Sequence, residues 1–306
     1  TSTASKASPS LPSVDLVEVT GLVLSRALAY VALLLVAGLP LYGLTARARV
    51  PVSGRQRLAL ALFALLGAAA SAWWALASVA AMAAMPLLAL GRETVTVVLA
   101  ATPLGAVMTW RLTALAAVAL VAAIPLRSAG LPLLALAGAV AIGTMAWSGH
   151  AGATEGGAGT VHRAADVFHL LAAATWLGAL AIFVVHAFAR AESDRAFELA
   201  AFARTGSVIV ALLVLTGVVN SLSIAGWPLD RAQLTSRWGL LLGLKLVLFA
   251  GMLGLAAFNR WRITPALARG EAAALPHLRR SLLAETALGL VVVAIVALLG
   301  VLDPAA

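Results

Sequence analysis

Residues 149–178 read "GHAGATEGGAGTVHRAADVFHLLAAATWLG", and the fold is decided by what surrounds them. Apolar runs flank this stretch and recur along the chain, each of about eighteen residues or more and so able to cross a hydrocarbon layer roughly 30 Å thick. Three of the five histidines, His150, His162 and His169, fall inside the stretch with Glu155 and Asp166. The chain has 306 residues, of which 62% are hydrophobic and 11% charged, with a mean hydropathy of +1.03. Soluble domains carry about 25% charged residues. The composition therefore predicts an all-α, polytopic transmembrane helical bundle, with the lipid bilayer as its solvent.

Eight spans are expected, at approximately 19–45, 56–81, 104–126, 131–149, 164–188, 198–225, 237–258 and 280–302. Between the second and third, residues 82–103 are broken by Pro86, Gly91 and Pro103. A lipid-exposed span cannot be built there, so a segment lying on the membrane surface or dipping into the bundle is expected. Residues 1–15, rich in Ser and Pro, read as a linker, tag remnant or processed start, and 16–306 as one eight-helix domain. No loop is long enough for a soluble core.

The formal charge of +9 would point to nucleic acid in a soluble protein. Here the arginines sit in short loops, where they report topology. Arg47, Arg49, Arg55 and Arg57, then Arg127, Arg190, Arg195 and Arg204, then Arg260, Arg262, Arg269, Arg279 and Arg280 fall on one side. These thirteen of the 21 basic residues mark the cytoplasmic face. Both termini and the 150–163 loop then face outward. The chain has no cysteine, which excludes disulfides and thiolate sites.

If the fifth span begins near 162, His162, Asp166 and His169 share one helical stripe, continued by Trp176. A flexible "AGATEGGAG" loop would let His150 fold back onto it. Imidazole and carboxylate donors suit Cu(II), Zn(II) or Ni(II). Asp166 serves equally well as an outer partner orienting a ligating histidine. Met82 and Met85, spaced i,i+3, and Met145 offer soft donors that favour copper, including Cu(I). The bland reading is interfacial histidines and packing methionines, and it is the one taken for His186, His277, Met108 and Met252. The residues alone leave both readings open.

The same residues resemble a known family. "GHA", an acid three residues before a histidine, and "HLLAAATWLGAL" with Trp176 and Gly178 are similar to the signature of the CopD family of bacterial copper-resistance inner-membrane proteins. "TPLGAVMTWR" at 102–111 and "SRWGLLLGLKLVLFAGMLGLAAFNRWRITP" at 236–265 resemble further family segments, with Ala106 where a basic residue is common. The resemblance implies an eight-span protein of the inner membrane that moves copper between periplasm and cytoplasm. It also implies a periplasmic CopC-like copper carrier as partner. His150 and His169 stand in matching motifs, whereas His162 lies in the variable part of the loop.

Other polar residues fall within spans: Arg26, Arg111, Thr216, Asn220, Lys245 and Glu285. A charge at the bilayer centre is costly and tends to face a cavity or a partner. Lys245 and Glu285, with Asn220 and Trp176, are expected either to line an internal polar pathway or to stabilise the fold as a pair. "GLLLG" at 239–243 allows close helix contacts, within one chain or between copies in a homo-oligomer.

No phosphate-binding loop, "DKTG" or CPC motif is present, so the chain is not expected to be an ATP-driven pump. Nor do HExxH or GxSxG motifs point to hydrolytic chemistry, and no enzyme is expected. Two alternatives stand beside copper movement. One is a cytochrome holding haem b between His150 and His169. The other is an assembly factor that delivers copper to an enzyme.

Overall fold

The computed structural model describes residues 16–45, 52–126, 129–189, 192–227 and 230–302, without the side chains of 16–19 and 192–197. Residues 1–15, Arg47, Arg49, Arg127, Arg190 and the side chain of Arg195 lie outside this description. The described residues are helical, with no strand among them. In order, the helices are α1 (Leu16–Thr45), α2 (Gly54–Ala83), α3 (Arg92–Ala101), α4 (Pro103–Ala123), α5 (Gly130–Gly143), α6 (His150–Ala153) and α7 (Gly156–Ala189). They continue with α8 (Glu192–Ala225), α9 (Arg231–Thr235), α10 (Arg237–Phe258), α11 (Thr264–Ala268) and α12 (Ala274–Leu299).

Eight segments are long and apolar enough to span a membrane. They are Thr20–Thr45, Gly54–Ala83, Pro103–Ala123, Gly130–Trp147, Gly156–Ala189, Glu198–Ala225, Arg237–Ala268 and Ala274–Leu299. Their ends follow local chemistry. Ser53 and Gln56 form a reciprocal capping box at the start of α2. Pro103 opens α4, where its missing N–H costs nothing. The interrupted stretch 82–103 folds as a short turn and α3, a ten-residue helix with no buried side chain.

Two expectations need correction. The glycine-rich residues 150–163 are not a flexible loop: α6 occupies His150–Ala153, and α7 starts at Gly156, well before 162. Gly156 has φ +63, and a Cβ on Gly159 would strike the carbonyl of Thr154. Arg163 closes the turn by donating to Thr154 O at 3.0 Å. These glycines let the chain double back tightly under the first turn of α7. The seventh span also continues past 258, through a π-helical turn at Asn259–Ile263 into α11.

The core is organised around α1, which packs against α2, α5, α7 and α12. Its crossing with α7 is glycine on glycine. A Cβ on Gly178 would meet the Gly38 carbonyl, and one on Gly38 would meet that of Ala174. Small residues let two membrane helices approach backbone to backbone, and this fixes α7 in the middle of the bundle. One apolar cluster joins α1, α2, α4 and α5 through Leu33, Leu60, Leu115 and Leu134. A second joins α7, α8, α11 and α12 through Trp176, Ile209, Leu267 and Leu278. On the periphery, α8 rests on α7 and α11, and α10 on α12.

Candidate functional site

The doubling back at 150–159 places α6 against the first turns of α7. His150 Nε2 lies 3.3 Å from the carbonyl of Leu299, at the end of α12. Thr154 Oγ1 donates to the His150 carbonyl at 3.1 Å and lies 2.9 Å from His162 Nδ1. A hydroxyl has one proton to give. With that proton on the His150 carbonyl, His162 Nδ1 must donate to Thr154, which leaves the lone pair on Nε2. His162 is 2% exposed.

One turn further along α7, Asp166 Oδ1 accepts from Asn220 Nδ2 of α8 at 3.0 Å. Its charge also interacts with Lys245 of α10, His150 and Tyr30 of α1. The Asn220 Oδ1 atom is buried without a partner. His169 comes next, its Nδ1 2.9 Å from Thr216 Oγ1. That hydroxyl donates to the Leu212 carbonyl at 2.5 Å. With that proton on the Leu212 carbonyl, His169 Nδ1 donates to Thr216, and Nε2 of the neutral ring keeps its lone pair. Fixing one ring nitrogen with a hydrogen bond prepares the other as a base or ligand.

His150, His162 and Asp166 thus gather where α6, α7 and the end of α12 meet. His169 lies deeper, against α8, with Lys245 acting on it electrostatically. Among the described residues, no three His, Asp or Glu side chains form a ready-made metal cluster. The methionines stand elsewhere. Met82 and Met85 are exposed at the end of α2, and Met145 is packed in the first apolar cluster. His186 pairs with Glu198 at 2.7 Å, and His277 is exposed.

Lys245 and Glu285 are not each other's partners. Lys245 interacts electrostatically with Asp166, without an ion pair between them among the described residues. Glu285, 4% exposed, accepts from Trp176 Nε1 at 2.9 Å and from Asn259 Nδ2 at 3.4 Å. Along α7, then, His162, Asp166, His169 and Trp176 present successive polar groups to α8, α10 and α12. At 1.5 Å per residue that ladder is about 21 Å long.

Near the other flank of α1 is a cationic stack. Arg26 and Arg111 lie over the ring of Trp74, with centroid distances of 4.6 and 4.9 Å. Arg111 is fully buried and donates to Thr144 Oγ1 at 2.8 Å and Ser148 Oγ at 2.7 Å. Arg26 acts electrostatically on Tyr30 and abuts Gly300. Thr154, Asn259, Tyr30 and Trp74 carry no sequence motif that would single them out, except that Asn259 stands in the "NR" within 236–265.

The fold and these groups define a polytopic helical membrane protein with a small set of ionisable side chains buried inside the bundle. Residues 15–160 match the N-terminal domain of proteins like copper resistance protein D, and residues 197–299 match the copper resistance protein D family itself. The chain is 38% identical over 216 residues to copper resistance protein D of Pseudomonas syringae pv. tomato, covering 66% of this chain and 69% of that protein. It is 32% identical over 163 residues to inner membrane protein YebZ of Escherichia coli (strain K12), covering 52% of this chain and 55% of that protein. No solved structure matches. The chain belongs to the copper resistance protein D family. It is a multi-pass protein of the inner membrane, and its function there is related to copper. His162, Asp166, His169 and Trp176 fall between the two matched stretches.

Proposed function

We propose that the protein takes copper at its outer face and passes it inward along α7, with His150, His162, Asp166 and His169 as the first binding positions. The observation that carries this reading is the pair of hydroxyl-locked imidazoles. Thr154 and Thr216 hydrogen-bond Nδ1 of His162 and His169, and the tautomer that donates from Nδ1 leaves a lone pair on Nε2 of each ring, on the same helix with Asp166 between them. Nitrogen with carboxylate suits Cu(II). Donors strung along a helix favour transfer, since a transported ion must bind weakly enough to leave.

Copper would arrive from a periplasmic carrier of the CopC type. Deeper in the bundle, Asn220, Lys245, Trp176 and Glu285 continue the polar column. No covalent chemistry is assigned to these groups, and the protein acts as a carrier, not an enzyme.

The test is metal analysis of purified protein, wild type beside His150→Ala and His169→Ala. Retained copper is expected to fall about tenfold or more in each, as when a metal's binding shell is disrupted. Undiminished copper in both, with folding intact, refutes the assignment. The absorption spectrum of the same wild-type sample separates the haem alternative, because a Soret band would replace copper by haem between the histidines.

A further inference from the structure

The inner end of the polar column opens on a cavity of about 300 Å³ between α8 and α10. Leu180 and Phe183 of α7 and Phe202 of α8 wall it with Leu253 of α10, and Trp176 and Glu285 also line it. Two acceptors there lack a sufficient partner. Glu285 is buried and receives only neutral donors, and no Lys, Arg or His forms an ion pair with it among the described residues. Asn259, 5% exposed, lines the same cavity with its Oδ1 buried and unpartnered. Asn259 begins the π-helical turn, and π-bulges recur at functional sites. Pro265, which has no N–H to give, follows that turn.

A buried carboxylate without a counter-charge is costly. A cation reached by both the carboxylate and the unpartnered amide oxygen of Asn259 would satisfy the two acceptors together. We propose that Glu285 and Asn259 form a binding site for a single alkali-metal cation, entered through this cavity. Ser207 and Thr264 bring further oxygens to its wall. One carboxylate neutralises one positive charge, so a monovalent ion leaves the site neutral. Calcium and magnesium take six or more oxygens, normally with more carboxylate charge. Copper is disfavoured, because the lining contains no His, Met or Cys. Arg260 at the mouth is held aside on α8, donating to Ser207 Oγ at 2.9 Å and to the Ala203 carbonyl.

The proposal refines the place of Glu285 in the polar column and stands apart from the outer copper positions, so the two are measured separately. Radioactive sodium binding to the purified full chain is compared among wild type, Glu285→Gln, Glu285→Asp and His169→Ala, with copper content determined on the same samples. Saturable binding of one sodium per chain is expected in wild type and in His169→Ala. Glu285→Gln should weaken it about tenfold or more, since the only charged ligand is lost. If Glu285→Gln does not fold, Glu285→Asp, which draws the charge back by one methylene, tests the same ligand through a smaller loss. No saturable sodium binding by wild type overturns the proposal, as does undiminished binding in the Glu285 variants, whatever the copper content.

Discussion

The bundle buries two contrasting sets of charged groups, which meet at Tyr30 of α1. Around Trp74, Arg26 and Arg111 both lie over the indole ring, and Arg111 is satisfied by neutral hydroxyls. Toward α8, α10 and α12, the helix next to α1 carries Asp166, His169 and the indole that holds Glu285. Two unit charges about 4 Å apart interact by roughly 4 kcal/mol at an effective dielectric of about 20. A copper ion would be opposed at the two arginines and drawn to Asp166 and Glu285, with Lys245 opposing it beside Asp166 and His169. In the function proposed above, the arginine side serves as a wall that ties helices together, and the α7 side as the route. Gly38 and Gly178 hold the two against each other.

This contrast breaks most visibly at Trp74. The ring is 2% exposed and packs against two guanidinium groups. Trp74→Ala removes the packed ring and both cation–π contacts, and is expected to cost about 4 kcal/mol of stability. Trp74→Phe should recover part of it. Thermal or denaturant unfolding in detergent reads the loss. Copper retained per folded chain should stay at the wild-type level. A parallel fall in copper would mean that wall and route are one site.

Next in size is Asp166→Asn. The amide keeps the shape and can still meet Asn220, so the fold should survive with a change of about 1 kcal/mol or less. The charge beside His150 and His162 is gone, and copper affinity is expected to drop tenfold to hundredfold, by analogy with outer-shell carboxylates. Titration against a competing chelator measures it. Wild-type affinity in Asp166→Asn would strip the acid of any part in the route and leave the α7 side with its histidines alone.

The spans were legible because a run of apolar residues long enough to cross lipid has few other destinies. What escaped the sequence has specific causes. Glycines at 156 and 159 read as a loop, yet they serve a positive φ and a close approach to the Thr154 carbonyl inside a continuous fold-back. "NRWR" reads as the polar end of a span, but a π turn carries the helix onward and turns Asn259 toward Glu285. The stripe of 162, 166, 169 and 176 was visible from helical spacing. Its partners were not, because His169–Thr216, Asp166–Asn220 and Trp176–Glu285 join residues 47, 54 and 109 positions apart. Those contacts depend on which helix lies beside α7, and local periodicity carries no information about that.

The smallest effect sharpens the comparison by asking whether soft donors belong to either side. Met82 is 51% exposed and Met85 36%, both where α2 gives way to the surface turn before α3. Replacing both by Leu keeps volume and apolarity, so stability should move by about 0.5 kcal/mol or less. If the route begins at His150 and His162, copper bound under oxidising conditions should equal wild type in this double variant. Cu(I) is the more demanding probe, because thioethers prefer it to carboxylates. Equal Cu(I) retention in the double variant would confine the entry to α6 and α7. A loss seen only with Cu(I) would extend the entry across the outer face to the end of α2 and give the arginine side a share in handling the metal.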